Sequence, residues 1–357
     1  MAVMNVTLFE HEVELAQALE AGLQRHDRRT RLYLKLDDGG EVGVGEIAPQ
    51  REALNGDANV DDVRRELVEL VLPQVVAMRT REGALPSWTR IARLRGPRHA
   101  SAPALALVEM ALLERELRQA RQRLDEWWVP RGPLVLQRGV SLLRHDDPWP
   151  DLEGVVRLRA KVAPGRIDSE ALERVAATAL PVILDFNATA RTFDEVRAVW
   201  QRVSALANVV AVEQPFQVGN FIDSAQLSKE MPVAVSLDES LRSLGDLNQI
   251  LRYEAATMLC VKPARVGGLA NARTIITKAR ERGLRPYVGG FFESPYARHV
   301  HRILARHCVS EPSDVGDVAT VGNSEEVQSC ADGFGYCVDP RVLQGSRVWS
   351  VMTSAAT

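Results

Sequence analysis

VVRLRAKVAPG, residues 155–165, decides how the rest of the chain is read. Val155, Val156, Leu158, Ala160 and Val162 give it the apolar content of a strand, and Pro164-Gly165 stops it. Arg157, Arg159 and Lys161 alternate with those apolar residues. Alternate residues of a strand share one face, so three cations line one side of it. A buried strand with such a face needs acids on the strands beside it.

Working outward, the stretch is one beat of a rhythm that starts near residue 133. Strand candidates are LVLQRGV (134–140), VVRLRAKV (155–162), LPVILDF (180–186), VVAVEQP (209–215), PVAVSLD (232–238), TMLCVKP (257–263) and RPYVGGF (285–291), with a weaker one near Cys308. Amphipathic stretches such as SEALERVAATA, FDEVRAVWQRVSAL and GLANARTIITKARERG separate them. Strands alternating with helices predict a parallel sheet, and runs apolar on both faces predict one covered on both sides. No GxGxxG follows the first strand, which disfavours a dinucleotide-binding sheet. Eight such units in this length predict a (β/α)8-type barrel over residues 131–315.

Residues 1–130 read differently, as an α+β capping domain. TRLYLKL (30–36) and EVGVGEI (41–47) flank the turn DDGG and predict a hairpin. Residues 61–78 and 101–127 have helical spacing, the latter with Ser101 as N-cap and Pro103 in its first turn. HEVELAQALEAGLQRHDRR (11–29) also reads as helix. Six arginines fall within residues 79–98, read as a solvated connector. Residues 316–357 form a C-terminal segment returning to the cap. Trp127-Trp128 is expected to anchor the long helix, and His301 and His307 to be packing or surface residues.

The 357 residues carry a net charge of −3, which argues against a dedicated nucleic-acid binder. The N-terminus does not read as a signal peptide, and no stretch approaches the roughly 18 apolar residues of a membrane helix. Cys260, Cys308, Cys330 and Cys337 form no zinc signature and predict a reduced, cytoplasmic protein.

Charged residues recur at the ends of successive strands. Lys161, Asp185, Glu213, Asp238 and Lys262 are separated by 24, 28, 25 and 24 residues, about one βα unit each time. In a barrel these ends converge on one mouth. Three carboxylates there would repel one another, and Mg²⁺ resolves this by accepting their oxygens. Taken alone, Asp238-Glu239-Ser240 could equally begin a helix. Such a cation holding a substrate carboxylate stabilises the enediolate formed when the α-proton leaves. A lysine can remove that proton if neighbouring cations lower its pKa, and Arg159 is placed to do this for Lys161.

Together, RAK (159–161), DFN (185–187), EQP (213–215), DES (238–240), VKPARVGG (261–268) and GGFFES (289–294) resemble the enolase superfamily, muconate lactonizing enzyme subgroup. Within it the chain is similar to o-succinylbenzoate synthases and N-acylamino acid racemases. The likeness covers nearly the whole chain, including a cap with Gly45-Glu46. It implies Asp185, Glu213 and Asp238 as ligands of Mg²⁺, with Mn²⁺ able to substitute. It implies Lys161 as the acid/base catalyst and Lys262 as a second base or stabilising cation. Asn187, Glu239, Gly290, Glu293 and Ser294 would lie near a small carboxylate substrate, with Gly289 and Gly290 letting it approach. The reactions implied are dehydration to o-succinylbenzoate, racemisation or epimerisation of an N-acylamino acid or dipeptide, and cycloisomerisation. A ligand-binding barrel without catalysis is the alternative outside enzymology. No nucleic-acid or membrane partner is expected, and barrels of this subgroup are often homo-oligomers.

The chain departs from the family in three places. Arg159 stands where the family usually has lysine. Pro295-Tyr296-Ala297-Arg298-His299 replaces a small Gly-rich turn. The helical reading of 11–29 replaces a strand and the active-site loop that sets substrate choice.

Overall fold

The computed structural model describes residues 3–21, 24–91, 101–147, 149–318, 320–321, 327–344 and 346–354. Strands β1 (Val3–Ala21), β2 (Gln24–Asp38) and β3 (Glu41–Ile47) open the chain. A helical stretch follows, α1 (Val60–Glu66), a π-helical turn (Leu67–Val71) and α2 (Leu72–Glu82), then α3 (Trp88–Ile91), α4 (Ala102–Gln119) and α5 (Leu124–Trp127). Strands β4 (Leu136–Ser141), β5 (Val155–Lys161), β6 (Val182–Asp185), β7 (Val209–Glu213), β8 (Ala234–Leu237), β9 (Met258–Val261) and β10 (Arg285–Val288) form one parallel sheet in the order β10-β9-β8-β7-β6-β5-β4. Helices α6 (Ser169–Ala177), α7 (Phe193–Ser204), α8 (Phe221–Glu230), α9 (Leu244–Tyr253), α10 (Pro263–Val266), α11 (Leu269–Glu281) and α12 (Pro295–Cys308) follow successive strands. Short strands β11 (Gln328–Ser329) and β12 (Tyr336–Cys337) pair with each other, and β13 (Ser346–Ser354) pairs with β1.

The described residues of the 11–29 segment, 11–21 and 24–29, are not helical. They belong to β1 and β2, an antiparallel pair in which Glu12 faces Thr30 and Glu14 faces Arg28. Their content of Glu, Leu, Ala and Gln favours a helix, but Glu12 and Glu14 are exposed while Val13 and Leu15 are buried. That period of two suits a strand paired with β2, and pairing overrides propensity. The four-stranded sheet runs β13-β1-β2-β3. Gly39-Gly40 supplies the positive φ values of the turn between β2 and β3. Helix α4 covers this sheet so closely that a Cβ on Gly45 would lie 2.3 Å from the Leu107 carbonyl.

The predicted helix over 101–127 is interrupted after Gln119, with Arg121 at positive φ, and resumes as α5. Ser101 occupies the N-cap position of α4 without accepting a side-chain hydrogen bond, and Pro103 lies in its first turn. Trp128 is buried and stacks against His307, whereas Trp127 is largely exposed. Within the arginine run, Arg79 pairs with Asp38 and Arg81 and Arg90 pair with Glu82. Arg93, Arg95 and Arg98 lie outside the described residues.

The weak strand near Cys308 is instead the end of α12, whose apolar face packs on the core. The position beside β4 and β10 is taken by Ser313 and Asp314. Ser313 exchanges backbone hydrogen bonds with β4 and the residue before it, and the Asp314 N–H donates to the Val288 carbonyl of β10. Cys330 and Cys337 are joined in a disulfide, which corrects the reading of reduced cysteines, while Cys260 and Cys308 are free and buried. The pairing of β11 with β12 brings their Cα atoms to 6.0 Å, a proximity the linear spacing does not encode. No helix among the described residues is long and apolar enough to cross a membrane.

The parallel sheet sorts its residues by face. Leu158, Ala160, Leu184, Val212 and Val235 pack against helices, while Ile183, Ala211, Met258, Cys260 and Tyr287 form a small separate cluster on the other face. Asp185 and Glu213 share the latter parity with Arg157, Arg159 and Lys161. The cationic face of β5 therefore meets acids across the same interior.

Glu109, fully buried in α4, holds the two layers together. Its carboxylate accepts the N–H groups of Leu269 and Ala270 at the start of α11, donors that a helix leaves unpaired. Gly268 is required there, since its φ is +118° and a Cβ would overlap Glu109. Glu109→Ala is expected to lower stability by about 1–3 kcal/mol, measured by urea unfolding, because it leaves those amides buried without an acceptor. An effect within a few tenths would show that the contact is dispensable.

Candidate active site

The ends of β5, β6 and β7 are in lateral register, Lys161 beside Asp185 and Asp185 beside Glu213. Neighbouring parallel strands lie about 4.8 Å apart, so these three side chains start from one level. Asp238 and Lys262 follow β8 and β9 directly, in the turns leading to the next helices. Asp185, Glu213, Asp238, Glu239 and Lys262 are all buried, and Lys161 is partly accessible. Asp238 and Glu239 do not begin a helix, because α9 starts later with Ser243 as its cap.

Each acid has a defined set of neighbours. Asp185 accepts from Arg159 at 2.6 Å and from the Asn187 N–H at 3.0 Å. One Glu213 oxygen accepts from the Tyr287 hydroxyl; Oε1 has no hydrogen-bond partner and lies 3.5 Å from Arg159. Asp238 accepts from Lys262 at 2.8 Å and from Arg265. Oxygens of Glu213 and Asp238 lie within 4.8 Å of each other and of the Cys260 sulfur. Gln214 orders this corner, its side-chain oxygen accepting the N–H groups of Asp238 and Ser240.

These neighbours set the proton affinities. Burial pushes Lys161 down to about 8; Arg159 and Lys262 add to the effect, while Asp185 opposes it. Burial lifts Glu213 to about 8, reinforced by Asp185 and Asp238. Glu239 rises to about 7 through burial and the Asp238 charge. For Asp238, burial is outweighed by Arg265 and Lys262, which hold the carboxyl below its ordinary range. Lys262 is raised, because its pairing with Asp238 outweighs burial. The two lysines are thus unlike: one is poised to lose a proton and the other to keep it.

Asn187 donates to Asp185 and Glu239, and Asn55 from the N-terminal layer also reaches Glu239, at 3.2 Å. The space beside Gly290 is filled by the chain itself, since a Cβ there would lie 2.5 Å from Glu293 and close to Arg298. Glu293 pairs with Arg298, and Ser294 donates to Glu46 and caps α12. Ser294 therefore ties the two layers together, while Glu293 is held by Arg298 and the Phe291 N–H within its own layer. Tyr296, in the segment that departs from the family, is buried and donates to the Val44 carbonyl. Arg157 lies deeper, bound to Gln137, Glu311 and the Pro312 carbonyl.

Several residues of this site escaped the sequence reading. Arg265 lies three residues after Lys262, on the first turn of α10, and also pairs with Asp57 of the N-terminal layer. Its place in VKPARVGG was the available signal. Asp314, bound to Arg159 at 2.8 Å, sits in a segment with no strand pattern. Asn55 and Asp57 come from a loop about eighty residues before the sheet, and nothing local marks them. A cavity of about 210 Å³ opens between that loop, the start of α4 and α10. It is lined mainly by apolar groups such as Pro49, Ala58, Ala102 and Phe291, with Asp57 and Arg265 among its polar groups. Lys262 and Arg265 both lie against the Phe291 ring, at 4.8 and 4.9 Å from its centroid.

Two lysines and three carboxylates thus gather at the ends of neighbouring parallel strands. Residues 151–328 match and belong to the enolase C-terminal domain-like family. The resemblance to the enolase superfamily drawn from the motifs is borne out. The chain is 25% identical over 322 residues to the o-succinylbenzoate synthase of Bacillus subtilis, covering 85% of this chain and 82% of that one. It is 25% identical over 331 residues to the N-succinylamino acid racemase of Thermus thermophilus, covering 90% and 87%. The N-succinyl Arg/Lys racemase structure from Bacillus cereus shares the fold, with a TM-score of 0.82 over 99% of this chain and all of that one at 15% identity.

Proposed function

We propose that this chain is a divalent-cation-dependent enzyme that removes the proton α to a substrate carboxylate, with dehydration to o-succinylbenzoate as the specific reaction. The observation that carries this is Lys161. It is partly accessible, in register with Asp185 and Glu213, and its pKa is brought to about 8 by burial and two neighbouring cations. The names of the relatives supply the specific reaction; the chemistry is argued from the residues.

The donor set fits Mg²⁺ in chemistry, being three buried carboxylates that supply hard oxygens, and the unpartnered Glu213 Oε1 is suited to a cation. Asp185, Glu213 and Asp238 would hold it. When bound, the ion supplies positive charge for a substrate carboxylate as that group takes up the electrons of the α-carbon. Neutral Lys161 accepts the α-proton. In a β-elimination it then returns that proton to the departing hydroxyl, which leaves as water. Lys262, kept protonated by Asp238, stabilises the negative charge. Ser313 and Asp314 would close the sheet as the eighth member of a barrel. The division is into a cap over 1–130, a barrel over 131–315 and a returning segment over 316–357. The cavity beside Phe291 would take an apolar part of the substrate.

A second reading, racemisation of an N-succinylamino acid, is favoured by the placement of Lys161 and Lys262 four strands apart around one centre. Incubation in deuterated water separates the two. Conversion of the hydroxy acid precursor to o-succinylbenzoate supports the first reading. Exchange at the α-carbon with inversion of N-succinylamino acids, and no dehydration, would replace it with the second.

Because neutral Lys161 is the reactive form, kcat/KM should rise with pH until about 8 and then level off. Arg159→Met should move the inflection to higher pH, since Arg159 disfavours the protonated lysine. A profile that is flat between pH values well below and well above 8 would remove Lys161 from the role of base.

A further inference from the structure

The residue that departs from the family motif also stands against two of the three proposed cation ligands. One Arg159 nitrogen lies 2.6 Å from Asp185 Oδ2 and 3.5 Å from Glu213 Oε1, an oxygen with no hydrogen bond of its own. Its other terminal nitrogen binds Asp314 Oδ2 at 2.8 Å. Arg159, Asp185 and Glu213 are all buried. On β4, Gly139 is the register partner of Arg159, and a Cβ there would sit in ordinary contact with the guanidinium, at 3.9 Å. A planar fork can bridge carboxylates on two sides at once, which a lysine ammonium at the end of a flexible stem does less well.

We propose that Arg159 is an internal counter-ion that competes with a divalent cation for Asp185 and Glu213, with Asp314 as the anchor that holds it when the cation binds. The inference rests on reading Asp185, Glu213 and Asp238 as the cation site. In the metal-free protein the guanidinium neutralises two buried carboxylates that would otherwise repel each other. Cation binding requires the Asp185 contact to be given up, and Asp314 keeps the displaced charge paired. The chain therefore tolerates loss of its cation and binds it less tightly than the same site with a lysine at this position.

The test is calorimetric titration of Mn²⁺ into chelator-stripped full-length protein, with thermal melts in the presence and absence of Mn²⁺. Arg159→Met should bind Mn²⁺ about tenfold or more tightly than the parent, because a nearby positive charge is removed. Its metal-free form should melt lower, and Mn²⁺ should raise its melting point by more than it raises the parent's. Arg159→Lys should shift affinity in the same direction, and it remains informative if the methionine variant does not fold. Asp314→Asn should weaken Mn²⁺ binding, since it leaves Arg159 held by Asp185 and Glu213 alone. Equal Mn²⁺ affinity in the parent, Arg159→Lys and Asp314→Asn overturns the counter-ion role while leaving the cation site in place. Absence of Mn²⁺ binding from the parent and every variant overturns the cation site, and this inference with it.

Discussion

Lys161→Ala is expected to reduce turnover by about 10³–10⁴-fold, in the upper part of the range for a positioned general base, while leaving Mn²⁺ affinity within a few-fold of the parent. The asymmetry follows from the geometry. Asp185, Glu213 and Asp238 are held by Arg159, Asn187, Tyr287, Lys262 and Arg265, and none of these hydrogen bonds involves Lys161. Lys161→Arg should fail as well, because arginine keeps the charge but does not give up its proton near pH 8. Steady-state kinetics on the identified substrate and Mn²⁺ calorimetry check both halves. Activity within tenfold of the parent in Lys161→Ala would move the base elsewhere, with Lys262 the first place to look.

Asp238→Asn should cost about 3–5 kcal/mol of stability, the range found when one partner of a buried ion pair is removed. Asp238 is paired with Lys262 and Arg265, and all three are buried. Asparagine keeps the volume, so the cost comes from leaving two buried cations short of a counter-charge. The same change removes one of the three proposed cation ligands, so Mn²⁺ affinity should fall in parallel. Arg265 would keep Asp57, which limits the damage on that side. Urea unfolding without Mn²⁺ isolates the electrostatic part. A loss below about 1 kcal/mol would mean that Lys262 releases its proton in the variant, and the pH dependence of stability would then show it.

What was legible in the sequence was the sheet and the charges at its strand ends. Strands β6 to β10 are short and mainly apolar on both faces, β5 is apolar on one, and the helices between them have one apolar side, so two periods alternate along the chain. Lys161, Asp185, Glu213, Asp238 and Lys262 recur once per βα unit, so the repeat itself predicts that they meet. The N-terminal segment departs from its helical expectation because His11 to Arg29 has helix-favouring composition, and what overrides it is the pairing of β1 with β2. The final position of the sheet was misread because Ser313 and Asp314 contribute only a few backbone hydrogen bonds and no apolar run.

The sequence by itself determined the parallel α/β architecture and the charged strand ends, because the first follows from periods within each βα unit and the second from their repetition along the chain. Only the tertiary structure decided which charges pair. Asp314 with Arg159, Asp57 with Arg265 and Asn55 with Glu239 are contacts between residues that are 155, 208 and 184 positions apart. Electrostatic energy depends on distance in space and on burial, and neither is a local property of the chain. The same three cations of VVRLRAKVAPG thereby acquire different partners. Arg157 is tied to Glu311, Arg159 is shared among acids, and Lys161 is left partly accessible at the end of β5, its pKa lowered to about 8.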